Sequence, residues 1–284
     1  MEAGGLTWSP WLASLGIWAR QNRPAIDVAL ALQRFWPADG AGAPLSAGGR
    51  AIQPVPAAEP LGALAYEQHI ARTGELPTRD NAHDWYNALV WLAFPKTRRV
   101  INHLQVTEGL ASSGANIEAA NRVANTAPLR AGSNGRTRRR DALTLLDENG
   151  AVLVTCAPVL QAALVDHDWQ TFFVRHRALW ETQAQVWVVG HAMLEKLEQP
   201  RIDLCAHVRI WLMDETVWAD WYGLDEDARR YGLDAWLADD VKGNLQTPKD
   251  LQPLPLMGIP GWCADNADSD FYNNTTVFRP KRRP

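Results

Sequence analysis

Apolar residues recur along this chain at two spacings, and their alternation predicts a helix-rich α+β fold. Near the start, Trp11, Leu15 and Trp18 fall three to four positions apart, the period of one helix face. Ser9-Pro10 supplies an N-cap and then a proline at the first helical position. A second helix is expected after Pro24, carrying Ile26, Leu30 and Leu32 toward Phe35-Trp36. Residues 37–60, rich in Gly, Ala, Pro and Ser, read as a long surface loop with a short strand over 50–55. Helical spacing returns over 61–72, then over 83–92 behind an Asp80 or Asn81 cap. Pro95 opens another helix, with Val100, Ile101 and Leu104 on its apolar face and Lys96, Arg98 and Arg99 exposed.

Residues 109–135 are small and polar, and Gly132-Ser133-Asn134-Gly135 marks a turn. The sharpest hairpin signal follows: strand-like runs at 142–146 and 151–155 flank Asp147-Glu148-Asn149-Gly150, with glycine offered for positive φ. Helices are expected over 158–165, 169–183 and 192–198, and strands over 185–189 and 205–213. From 214 to 250 ten acidic residues face four basic ones, which reads as a solvated helical face. The stretch 254–284 is punctuated by proline and glycine and reads as an extended wrap. The sum is one α+β domain over 1–284, helix-rich, with a small antiparallel sheet and an extended C-terminal tail.

Composition narrows the classes. A chain of 284 residues can bury a large core without staples. Its three cysteines, Cys156, Cys205 and Cys263, make neither a disulfide framework nor a zinc spacing, which suits a reducing cytoplasm. Fourteen tryptophans spread from Trp8 to Trp262 argue for core and seams throughout, not for one stacking platform. The net charge of −4 speaks against nucleic-acid binding by the whole surface. The apolar run from Ala88 to Phe94 falls far short of the ~20 residues that cross a bilayer. The first residues lack the basic stretch of a secretory signal, so the expectation is a cytoplasmic protein without a membrane partner.

The chemistry gathers in a few places. His83 and Asn87 lie four apart on the expected 83–92 helix, and Asp84 and Asn87 three apart, near a helix N-terminus that favours an anion. A carboxylate beside a histidine can orient the ring for acid–base work. The plainer alternative is a capping network. His191 and Glu195 are also four apart, with His207 on a later strand, so two imidazoles and a carboxylate could hold a divalent metal. The run His-Ala-Met-Leu-Glu is not the zinc-protease pattern, however, and a buried His191 with Glu195 on an arginine is the competing reading. Arg136, Arg138, Arg139 and Arg140, followed by Asp141, offer guanidinium groups suited to phosphate or carboxylate; on a strand only half would face one ligand. Cys156 ends an apolar strand, where an inert thiol is expected.

Several of these stretches together resemble a known family. Pro77-Thr78-Arg79-Asp80-Asn81 with His83-Asp84, Asn87-Ala88-Leu89-Val90-Trp91 and Phe94-Pro95 is similar to the signature of the bacterial domain-of-unknown-function family numbered 3025. Arg140-Asp141-Ala142-Leu143, Gly190-His191-Ala192 with Leu194-Glu195-Lys196, and Gly258-Ile259-Pro260-Gly261-Trp262 agree with it in order. The resemblance brings no assigned activity. It implies that Asn81, His83, Asp84, Asn87, Arg140, Asp141, His191 and Glu195 form one constellation, and it counts against His207 as a metal ligand.

The expected function is a hydrolase-type enzyme acting on an anionic small molecule. His83 is its acid or base and Asp84 the orienter, while His191 and Glu195 form the opposite wall. Asn81, Asn87, Arg140 and Asp141 hold substrate, and a divalent metal is compatible with the set. One alternative is a non-catalytic binding or scaffold protein for a phosphate-bearing ligand, nucleic acid or a protein. The other is a purely structural polar network.

Overall fold

The computed structural model describes residues 10–37, 42–59, 61–112 and 137–281. The expected turn at 132–135, Arg130 and Arg136 lie outside the described residues. The described residues open on a tight helical segment, Pro10–Arg20, broken at Gly16, whose φ of 56° suits glycine. Then come α1 (Val28–Gln33), β1 (Gln53–Pro56), α2 (Ala63–Thr73) and β2 (Glu75–Thr78). The two strands pair in parallel as a ribbon of their own. Both strands are edges, which is why Pro54, Pro56 and Pro77 are tolerated in them.

Helices α3 (Ala82–Ala93) and α4 (Pro95–Ser112) follow, the first ending where proline forbids continuation. After the undescribed residues come α5 (Arg138–Asn149), β3 (Gly150–Thr155) and α6 (Pro158–Asp166). The expected helix over 169–183 is split into a widened turn, Gln170–Arg175, and α7 (Leu179–Thr182). The chain continues through β4 (Ala184–Val188), α8 (His191–Lys196), β5 (Cys205–Leu212), α9 (Glu215–Tyr222), α10 (Glu226–Asn244) and β6 (Gln252–Pro255).

Two expectations need correction. Residues 142–146 form no strand: Thr137 caps α5 by accepting from Arg140 N, and Ala142, Leu143 and Leu146 are buried at helical spacing. Helix α5 runs through Asp147 and Glu148, and Gly150 has φ −79°, so no hairpin turn exists there. Arg138, Arg139 and Arg140 consequently lie on this helix. The sheet is also mixed, not purely antiparallel: its order is β4-β3-β5-β6, with β3 and β5 parallel and the outer pairs antiparallel. Strand β3 is buried at every position, as a central strand covered on both faces must be.

The acidic 214–250 segment is not simply a solvated face either. Asp234 is buried and accepts from the backbone N–H groups of Lys96 and Thr97, capping α4 from α10. Asp240 is buried against Arg209. After β6 the chain moves through short 3-10 turns, and Tyr272 and Phe278 bury against Phe173. Among the described residues no helix is long and apolar enough to cross a membrane.

Candidate functional site

The start of α3 is set by its cap. Asn81 Oδ1 accepts from Asp84 N at 2.7 Å, which fixes the first turn and turns His83 toward α8. Asp84 then looks backward: its carboxylate accepts from Arg79 N at 2.7 Å, Nε at 3.0 Å and Nη2 at 2.8 Å. It therefore orients Arg79 and not His83. The carboxylate on His83 belongs to Glu195, one turn along α8 from His191, with Oε2 3.1 Å from His83 Nδ1.

His191 reaches the same place because two glycines permit a close approach. The turn from β4 into α8 is pinned by Val189 N and Gly190 N donating to Gly150 O. A Cβ on Gly190 would lie 2.4 Å from Gly150 N and 2.7 Å from Glu148 O. Only glycine lets α8 start against the end of α5, and this contact brings His191 beside Asp147 and Glu148.

The result is an imidazole pair. His191 Nε2 and His83 Nε2 are 3.1 Å apart, with the rings edge to face at 77°. His191 is buried, 4 % exposed, whereas the His83 side chain is 32 % exposed and opens to solvent. Burial, then the Arg98 and His83 charges, push the His191 pKa well below the ordinary histidine value, so its ring is neutral. Glu148 Oε2 is 3.8 Å from His191 Nε2, and Asp147 Oδ2 is 3.9 Å from His191 Nδ1. One ligand atom each from His83, Glu148 and His191 can be chosen so that all lie within 4.8 Å of one another.

Behind this pair lies a buried polar wall. Arg98, expected on the exposed face of its helix, is 2 % exposed. Its guanidinium pairs with Asp147, donates to Asn87 Oδ1 at 2.8 Å and lies 5.0 Å from the Trp91 ring centre. Asn87 in turn donates to Tyr66 Oη at 2.8 Å, and burial pushes the Tyr66 phenol well above its usual value. Arg140 Nε approaches Gln105 Oε1 at 3.4 Å. His83, Asp84, Asn87, Arg140, Glu148 and His191 all line a cleft of about 320 Å³.

The cleft thus unites residues that the sequence scattered over three helices, α3, α5 and α8. Asn81 serves it indirectly as a cap, and Glu195 from behind His83. Asp141 stands apart: it is exposed in the first turn of α5 and does not line the cleft. His207 is on β5 opposite Pro253 and Gly150, away from the imidazole pair, so the expected His191–Glu195–His207 ligand set is not assembled. Residues that the sequence reasoning passed over are Arg98, Asp147 and Glu148. Cys156 is buried, and that burial raises its thiol pKa, in keeping with an inert residue.

A family described as "Protein of unknown function (DUF3025)" matches residues 55–282. The chain belongs to this family. No curated protein matches it, and no solved structure does. The family match takes in the whole cleft lining, from Ala57 to His191, while Pro10–Arg20 and α1 lie outside it.

Proposed function

We propose that the protein is a hydrolase acting on a small anionic molecule in the cleft between α3, α5 and α8. The observation that carries this reading is the pair of facing Nε2 atoms, 3.1 Å apart, at the wall of an open cleft of about 320 Å³. That volume is at the lower end of small-molecule pockets, and a few convergent polar groups in such a concavity favour a ligand site. Arg140 on the cleft wall supplies a guanidinium suited to a carboxylate or phosphate. Hydrolysis there adds the hydroxyl of water to an acyl or phosphoryl centre and sends its proton to the leaving group. The reading places the protein in a bacterial cytoplasm, in keeping with three free cysteines.

The test is turnover by the purified chain of a panel of phosphomonoesters, phosphodiesters, carboxylic esters and amides bearing a negative charge. His191→Gln and His83→Gln should each lower the rate by about 10²-fold or more while near-UV tryptophan spectra stay native. Unchanged rates in both variants reject the reading. A second reading, a non-catalytic binder of a phosphate-bearing ligand, nucleic acid or protein, draws on the Arg79–Asp84 and Arg98–Asp147 pairs, which fit a preformed scaffold. Saturable binding of an anionic ligand without turnover of any panel member would favour it.

A further inference from the structure

We infer that His83, His191 and Glu148 form a binding site for one divalent transition-metal ion, with zinc the best match. The inference deepens the hydrolase reading and rests on it for the use of the site, although binding itself is read without turnover.

His83 Nδ1 faces the Glu195 carboxylate at 3.1 Å, which places the ring proton on Nδ1 and leaves a lone pair on Nε2. A direct bond to His191 Nε2 then needs the His191 proton on that atom. His191 Nδ1 would be left with a lone pair turned toward the Asp147 carboxylate oxygen 3.9 Å away, and that buried nitrogen has no hydrogen-bond partner. A cation between the Nε2 atoms removes the conflict. Both Nε2 lone pairs then meet the ion, and the His191 proton moves to Nδ1, where it faces Asp147. Each imidazole acquires a carboxylate behind it, Glu195 for His83 and Asp147 for His191, the arrangement that fixes histidine ligands on metals.

Distances agree. Two nitrogens bound at 2.0–2.1 Å to one tetrahedral ion lie about 3.3–3.4 Å apart, against 3.1 Å here. Glu148 Oε2, 3.8 Å from His191 Nε2, needs only a small side-chain shift to complete three protein ligands. Local charge agrees too: Asp147 and Glu148 occupy the last turn of α5, where the helix end is already negative. His83 and Glu148 line the cleft, so a fourth position faces it. A water there would lose a proton more readily, deliver hydroxide to the substrate centre, and the bond to the leaving group would break as that group takes the proton.

The experiment is calorimetric titration of Zn²⁺, and in parallel Mn²⁺, into the chelator-treated full chain, with elemental analysis before treatment. One ion per chain is expected. Glu148→Gln and His191→Gln should weaken binding at least 10-fold, and Glu195→Gln about 10- to 100-fold through His83. Because the half-exposed Glu148 sits at the rim, its variant is expected to fold, and a native near-UV spectrum checks that. Co²⁺ loading adds a visible absorption band that should vanish in the histidine variants. No stoichiometric ion in the wild type, or equal affinity in the variants, overturns the site. Metal binding with no substrate turned over leaves the site standing and removes the hydrolase reading. Hydrolysis that survives chelation in a chain that takes up no ion in the titration does the reverse.

Discussion

Arg98 gives the sharpest energetic test of the cleft. It bridges three helices from a position 2 % exposed, pairing with Asp147 of α5 and donating to Asn87 of α3 beneath the Trp91 ring. Arg98→Met keeps the apolar stem and removes the charge. Asp147, whose side chain is 13 % exposed, then carries a charge without its partner, and Asn87 Oδ1 loses a donor. Breaking one side of a buried ion pair costs about 3–5 kcal/mol. The pair borders an open cleft, so water relieves part of that cost and about 3 kcal/mol is expected. Asp147→Asn added to Arg98→Met removes the stranded charge, and the double variant should lie within about 2 kcal/mol of the wild type. Urea unfolding followed by tryptophan fluorescence, at unchanged slope, reads both quantities. A loss under about 1 kcal/mol for Arg98→Met, or strictly additive losses in the pair, refutes the account.

Gly190→Ala should cost about 1–3 kcal/mol, because its Cβ meets backbone atoms of Glu148 and Gly150 and α8 must back away; wild-type stability in thermal melts would contradict this. Phe278→Ala should cost about 3–5 kcal/mol, since the ring is buried against Phe173, Trp169 and Tyr272; a melt unchanged from wild type rejects the anchoring role of the C-terminal segment. Burial, then the Lys196 charge, holds the His207 pKa below the ordinary histidine value. The unfolded chain therefore takes that proton first, near pH 6.5, so stability is full above this pH and falls as pH drops through it. His207→Gln should lose less on going from pH 7.5 to 5.5, and an equal loss counts against the assignment. Glu148→Gln should raise metal-free stability by about 0.3–1 kcal/mol by removing a carboxylate from the negative end of α5. A drop would make Glu148 a structural residue.

Elements with local punctuation were legible in the sequence. The caps and prolines around α3, α4 and α6 announce them, and the unbroken Gly150–Thr155 run announces β3. What failed was anything decided at a distance. The parallel partner of β3 is some fifty positions away on β5, and no local pattern carries that register. Arg98 stands between Lys96 and Arg99 on a face that reads as polar. It is turned inward because Asp234 of α10 clamps the first turn of α4 from the other side, and Asp147 waits one layer away. His83, His191 and Glu195 could be named as titratable groups near helix starts, yet which carboxylate meets which ring depended on how α3 and α8 pack.

The most consequential misreading, Asp147-Glu148-Asn149-Gly150 as a hairpin turn, has a physical lesson. Acidic residues followed by glycine suit a turn, whereas at a helix C-terminus two carboxylates oppose the dipole. Sequence reasoning therefore discards the helix for good local reasons. The fold keeps it, against local preference, and holds those carboxylates beside a neutral buried imidazole and a buried guanidinium. Such conflicts between local preference and global structure are expected where function resides. The conflict has a specific sign here. Negative charge gathers at the end of α5, one carboxylate meets Arg98, and the other lies beside two nitrogens whose protons, with both rings neutral, leave a lone pair facing an anion. A positive ion between them answers the charge at the helix end and the proton placement together.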